Sequence, residues 1–390
     1  MISREHKKHS DIARAGYGNF ARHEWAILGT HCGIIKNLAD EIFRALSPTY
    51  KCGYADAQHT DKGMEQELPG RLGSGAAAEY TSQTHYQQFH FNKNLGPFQF
   101  RQIFADIDFL LVNGNHHEAS SQVVVIDNTK MASLQKRVSQ LTHVDLLLLA
   151  DNANEVFDFI KVALPSWKDL PLYKLSDTEK IIDFFESKLR NKKPLLNGLV
   201  LAGGNSLRMG RNKATMDWHG KEQQYYMADL LKNYCEEVFI SCTEEQKPAL
   251  DNDYKIITDS FTGLGPYGAI LSAFREHPSR AWLVLACDLP LLNAETIRQL
   301  IEQRHVLVMA TAFESPFDGL PEPLIAIWEP KSYPVLLSFL SQGYTCPRKA
   351  LRNNEINQVK ATDPDALMNV NTPEDSERAR QLLLQRSQKV

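Results

Sequence analysis

A two-domain α/β protein is the fold class the sequence predicts, and three observations predict it. Apolar stretches of strand length alternate with amphipathic helical stretches throughout the second half of the chain. Near its middle, an apolar run turns straight into the paired glycines Gly203-Gly204. Just before that, the helical pattern closing on Phe184-Phe185-Glu186-Ser187-Lys188-Leu189-Arg190 meets Asn191-Lys192-Lys193-Pro194, a polar stretch stopped by proline. A chain of 390 residues exceeds what one hydrophobic core serves, so the expected domains are 1–192 and 193–390.

Composition narrows the class. The chain is 43% hydrophobic and 23% charged, the balance of an ordinary soluble protein, and its formal charge of −4 argues against a nucleic-acid or anionic-membrane partner. The basic opening Met1-Ile2-Ser3-Arg4-Glu5-His6-Lys7-Lys8-His9 leads into no apolar core of a secretory signal, and no apolar run approaches the ~18 residues of a membrane span. The cysteines Cys32, Cys52, Cys235, Cys242, Cys287 and Cys346 are scattered without a C-x-x-C pair. Several sit in or beside apolar runs, where buried, reduced thiols are expected, in a cytoplasmic enzyme.

In the first half, Trp25-Ala26-Ile27-Leu28 reads as a strand, followed by a turn at Gly29-Thr30-His31-Cys32-Gly33 and a helix. A phosphate loop of the G-x-x-x-x-G-K-[ST] kind needs glycine, lysine and a hydroxyl at fixed offsets. Counted from Gly29 those places hold Ile34, Ile35 and Lys36, which sets apolar bulk where phosphate should sit. Further strands are expected at Tyr54-Ala55, at Phe109-Leu110-Leu111-Val112-Asn113 and over 144–150. Residues 63–80 read as a mobile surface excursion. Ten of the thirteen histidines lie in this half, including His59, His85, His90, His116 and His117, but in no recognised ligand spacing.

In the second half, strands are expected at 195–202, 237–241, 255–258, 281–286 and 305–310, with helices at 225–234, 267–276 and 294–303. Such alternation predicts a mostly parallel, doubly wound sheet, whose ligands gather beyond the carboxyl ends of the strands. Four features fall there. Leu201-Ala202-Gly203-Gly204 runs into Arg208 and Lys213: glycines let backbone amides approach phosphate, and the cations add charge-assisted contacts. Asp259 precedes the glycine-rich Gly263-Leu264-Gly265-Pro266-Tyr267-Gly268. Cys287-Asp288-Leu289-Pro290 ends a buried strand on a carboxylate, a hard-oxygen ligand suited to Mg²⁺ on phosphates. Asn369-Val370-Asn371-Thr372-Pro373 displays two asparagines just before a capped helix start.

On these motifs, residues 195–390 resemble the molybdenum cofactor guanylyltransferase family, whose pattern L-A-G-G-x-S-x-R-M-G is matched by Leu201, Ala202, Gly203, Gly204, Ser206, Arg208, Met209 and Gly210. Lys213 stands in for the family's lysine, Asp259 with Gly265-Pro266-Tyr267-Gly268 for its aspartate and G-P-L-x-G loop, with tyrosine for leucine. Pro321-Glu322-Pro323-Leu324 resembles an acceptor-side segment in which Glu322 replaces the usual histidine or glutamine. The first half more weakly resembles the guanine-nucleotide-binding adaptor protein of molybdopterin dinucleotide synthesis, with a degenerate P-loop and Asn113 where that family has glutamate.

The resemblance implies a Rossmann-like nucleotidyltransferase joined to a degenerate P-loop-like domain. It implies transfer of GMP from GTP to molybdopterin, with Mg²⁺ as cofactor and molybdoenzymes or other cofactor-synthesis proteins downstream. Arg208, Lys213 and Asp288 would be catalytic. Leu201, Ala202, Gly203, Gly204, Lys213, Asp259 and Asp288 would bind nucleotide, Asp288 the metal, and Asn369 and Asn371 the acceptor. Two alternatives stay open: a transferase using CTP or a sugar phosphate, and a non-catalytic cofactor-delivery protein.

Overall fold

The computed structural model describes residues 18–57, 68–203 and 213–388 of a chain that divides into two compact units, Met1–Lys192 and Lys193–Val390. The first unit contains β1 (Glu24–Leu28), β2 (Cys52–Ala55), β3 (Ala78–Ser82), β4 (Gln87–Phe91), β5 (Phe109–Asn113), β6 (Ser121–Ile126), β7 (Val144–Leu149) and β8 (Leu172–Lys174). Six of these form a parallel sheet in the order β2-β5-β1-β6-β7-β8. Parallel crossovers place helices over the faces, which is why β1, β5 and β6 are buried at every position. Helices Cys32–Leu46 and Thr178–Asn191 bring Ile35, Leu38, Ile42, Ile181 and Phe185 into the core. Trp25 is fully buried edge-on to Phe185, and its indole N–H donates to Asp145 at 2.9 Å.

Two expectations meet the structure here. Helix Cys32–Leu46 begins only three residues after β1, so Ile34 and Ile35 are helical rather than loop residues. Ile35 is completely buried, and neither isoleucine stands at a phosphate position. A turn this short cannot wrap a polyphosphate. The expected excursion over 63–80 is also partly ordered. His59 and residues up to 67 lie outside the described residues, but Gly70–Ser74 is a 3₁₀ turn and β3 pairs with β4 as a separate antiparallel ribbon. Alternation explains it: Tyr80, Phe89 and Phe91 share one face and stack, with centroids 4.9 and 5.5 Å apart.

The second unit contains β9 (Leu196–Leu201), β10 (Val238–Cys242), β11 (Lys255–Thr258), β12 (Ala281–Ala286), β13 (Ala310–Glu314), β14 (Pro321–Trp328) and β15 (Asn357–Val359). They form one sheet in the order β11-β10-β9-β12-β14-β13-β15, parallel except where β14 runs against its two neighbours. Apolar clusters cover both faces. One gathers Val200, Met227, Leu231, Leu283 and Ile327; the other gathers Leu199, Ile270, Phe274, Trp282 and Trp328. The tyrosine in the leucine place, Tyr267, is fully buried, and its hydroxyl donates to the Leu336 carbonyl at 2.7 Å.

The strand expected at 305–310 is displaced. Helix Ala294–Glu302 has only just ended, and the apolar run His305-Val306-Leu307-Val308-Met309 is spent in turns that carry the chain back to the sheet edge. Lys331 Nζ donates to the Leu307 carbonyl there at 2.6 Å. The strand itself is Ala310–Glu314.

Candidate nucleotide site

The three central parallel strands β9, β10 and β12 and the edge strand β11 end together. Leu201 ends β9 and Ala202 and Gly203 follow it, Ser241 lies near the end of β10, Asp259 follows β11, and Asp288 follows β12 by two residues. All of them line one cleft of about 230 Å³, together with Lys213. Gly203 belongs against Asp259, since a Cβ there would lie 3.4 Å from Asp259 Oδ2. Gly204 and Arg208 lie outside the described residues.

Lys213 opens a single 3₁₀ turn, Lys213–Thr215, and its ammonium reaches across the cleft mouth. Lys213 Nζ donates to Asp288 Oδ2 at 3.3 Å and also hydrogen-bonds Asn371 Oδ1. The Asn369-to-Pro373 segment is stitched to the same loop, because Val370 N donates to the Asp288 carbonyl at 2.9 Å. Asn371 itself is fixed by the helix start that follows it. Thr372 Oγ1 accepts from Asp375 N, and Asp375 Oδ2 accepts from the amides of Asn371 and Thr372. Asn369 is half-buried and takes part in none of these bonds.

The two acids differ in surroundings. Asp259 has its backbone N–H on the Cys242 carbonyl and accepts from the Ser241 hydroxyl at 2.6 Å. Burial pushes its carboxyl above the usual carboxylate range, and Ser241 only partly opposes this. Asp288 keeps Lys213 on one oxygen, while Oδ1 is buried with no hydrogen-bond partner among the described residues. An orphaned carboxylate oxygen beside a cationic side chain suits a hard divalent cation that takes its remaining ligands from phosphate oxygens and water. Among the described residues no three His, Cys, Asp or Glu side chains converge as a ligand set.

Sequence reasoning missed Ser241, and named Leu324 only within the segment resembling the acceptor side. A serine one residue from a strand end is a faint hint of a polar contact; nothing along the chain says that antiparallel β14 delivers Leu324 to the cleft wall. Gly265 and Pro266 also line the cleft, and here the glycine is required: Gly265 has φ +55° at the cap of helix Pro266–Glu276. Glu322 is engaged elsewhere, with its carboxylate on Arg348 at 2.8 Å. Of the thiols, Cys242 and Cys287 are buried, Cys32, Cys52 and Cys235 half-buried, and Cys346 is exposed. No described helix is long and apolar enough to cross a membrane.

The MobA-like NTP transferase domain family matches residues 198–359. A molybdenum cofactor biosynthesis bifunctional protein from Synechocystis is 33% identical over 198 residues, covering 50% of this chain and 57% of that protein's length. A probable molybdenum cofactor guanylyltransferase from Bacillus subtilis is 30% identical over 45% of this chain and 90% of its own. A molybdenum cofactor guanylyltransferase from Shewanella baltica is 26% identical over 47% of this chain and 94% of its own.

Proposed function

The chain belongs, through its second unit, to the molybdenum cofactor guanylyltransferase family, and on that premise we propose that it transfers GMP from GTP to molybdopterin. The observation that carries this reading is the convergence of Lys213, Asp288 and Asn371 at the mouth of the cleft that Gly203 and Asp259 line. A terminal phosphate of the acceptor is largely dianionic at neutral pH, its second pKa being ~6, so it needs no general base. Its oxygen attacks the α-phosphorus of GTP. A new P–O–P bond forms as the α–β bridge breaks, and pyrophosphate leaves with the bonding pair.

What the protein must supply is alignment of two anions and neutralisation of the charge that builds up between them. Lys213, with Arg208, offsets charge on the α-phosphate and the leaving pyrophosphate. Gly203 and Gly204 let amides approach the phosphates. Leu201 and Ala202 form the floor and Asp259 holds the nucleoside, while Asn369 and Asn371 receive the acceptor. Asp288 would hold Mg²⁺, which supplies Lewis-acid neutralisation of phosphate oxygens. The reading assigns nucleotide affinity to residues 193–390 and an adaptor role to residues 1–192, which hand product to molybdoenzymes or other cofactor-synthesis proteins. Six free thiols fit a reducing cytoplasm.

The test is pyrophosphate release by the full chain with Mg²⁺ and molybdopterin, over GTP, CTP, ATP and UTP. Release with GTP alone is the expected result. A CTP preference, or release with a sugar phosphate in place of molybdopterin, would replace the substrate assignment; thermal stabilisation without release would replace the enzyme by a delivery protein.

A further inference from the structure

Half of the large apolar side chains left exposed among the described residues lie between Leu68 and Ile103, in and around the ribbon of β3 and β4. The two faces of that ribbon differ. Glu79, Thr81, Gln88 and His90 alternate onto a half-buried face, where Glu79 accepts from the Arg71 amide at 2.9 Å and the turn Gly70–Ser74 packs against β3. Ala78, Tyr80, Ser82, Gln87, Phe89 and Phe91 alternate onto the other face, and all of them are exposed.

The exposed face is already organised. Tyr80 pairs with Phe89 and Ala78 with Phe91, and Phe89 lies between the other two rings of the row. The Tyr80 hydroxyl donates to the Gln87 side chain across the strands. None of these residues carries a charge; Lys93 stands at the rim, its Nζ 5.9 Å from the Phe91 centroid. A two-stranded ribbon is marginal in water unless its faces are covered, and adjoining exposed rings mark an interaction surface.

We propose that this face is a homodimer interface, packed against the same face of a second copy of this chain. Charge selects a second copy. A two-fold axis through an uncharged face opposes no like charges, whereas the face offers an unlike partner or an anionic lipid surface no charge to read. Geometry agrees, because two ribbons can stack about 10 Å apart with their side chains interdigitated. Phe89, in the middle of the row, then meets Phe89 of the partner subunit. Area sets the strength. At about 200 Å² a ring, the exposed parts of Tyr80, Phe89 and Phe91 come to roughly 300 Å². The remainder of the face adds to this, against the ~800 Å² that each partner contributes to a standard interface. An interface at the small end of that scale suits a reversible dimer with a dissociation constant on the order of micromolar.

The experiment is analytical ultracentrifugation of the full chain from about 1 to 200 µM, a range that brackets such a constant. A thiol reductant is included because Cys346 is exposed. The expected result is a reversible monomer–dimer equilibrium. Phe89→Glu should weaken it on the order of 10²-fold, the scale of losing a central interface anchor. Phe317→Glu, at an exposed position of the second unit, should leave it unchanged. Phe89→Lys should weaken the dimer as Phe89→Glu does, and mixing those two variants should restore it. A misfolded ribbon or an interface elsewhere would not give that rescue. A wild-type chain that stays monomeric throughout, free or bound to phosphatidylcholine vesicles, overturns the proposal. So does a Phe89→Glu chain that dimerises like the wild type, or a mixture that stays monomeric. None of these readouts depends on nucleotide transfer.

Discussion

Lys213 Nζ lies 3.3 Å from Asp288 Oδ2, while the other oxygen of that carboxylate is buried without a partner among the described residues. The pair is only half satisfied. Leaving a buried acceptor unmet costs roughly 1–3 kcal/mol, so the arrangement suits a ligand that completes it. Asp288→Asn should lower GTP-dependent pyrophosphate release by ~10²–10³, and Lys213→Ala by a similar factor, the scale of preorganised electrostatic groups. The two losses should not multiply in the double variant, because the residues touch. Steady-state rates at saturating GTP and Mg²⁺ decide this, and near-normal turnover by Asp288→Asn would remove the metal anchor.

Asp259 gives a prediction with a defined pH sign. Its carboxyl is raised in the folded protein by burial, so the fold prefers the protonated acid. Stability is therefore lost as pH rises from the unfolded value of ~3.9 through the raised folded one. Asp259→Asn should raise Tm at pH 7, and the gain should shrink as the solution is acidified towards pH 4. The same variant should raise the KM for GTP. A stability gain equal at both pH values would mean that the charge is not the cause.

Gly268 sits in helix Pro266–Glu276 directly against the Asp259 loop, where a Cβ would lie 2.1 Å from the Phe261 carbonyl oxygen. The obstacle is backbone, so it cannot rotate away. Gly268→Ala should destabilise by about 1–3 kcal/mol, the usual range for overpacking. It should raise the KM for GTP more than it lowers kcat, since it moves the loop and not Lys213 or Asp288. Denaturant midpoints and initial rates on one preparation would separate the two effects.

Asp127 gives a second pH prediction, of opposite sign, in the first unit. Burial pushes its carboxyl up, but hydrogen bonds from Thr129, Asn152 and Thr30 outweigh that and hold it at about 2. A depressed acid stabilises above its unfolded pKa and loses that contribution as pH falls through the window from ~3.9 to ~2, worth roughly 2–3 kcal/mol in all. Asp127→Asn should thus cost on that order at pH 7 and progressively less below pH 4. Unfolding midpoints at several pH values would test it, a constant difference being the contrary result.

The strand-end placement of the second unit's chemistry was legible because each motif lies next to an apolar run of strand length. Leu201, Asp259 and Asp288 each lie within two residues of a strand that periodicity marks. The run His305-Val306-Leu307-Val308-Met309 misled for the same reason. Its composition is that of a strand, but the chain leaving helix Ala294–Glu302 must first turn, and the sheet takes up the blander Ala310-Thr311-Ala312-Phe313-Glu314 instead. The count from Gly29 shows that the phosphate-loop residue types are missing, but not that a helix starts as early as Cys32.

By itself the sequence determined the fold class, the alternation of strands and helices, and the residue types offered at each strand end. Those follow from local periodicity and from the chemistry of single side chains. Only the tertiary structure decided which of those offerings meet: that Asn371 bonds a lysine 158 positions before it, that Ser241 rather than a neighbouring amide faces Asp259, and that Cys32 lies against His116. The physical reason is that strand order within a sheet is set by long-range burial of both faces. No local pattern encodes which edges will stand side by side.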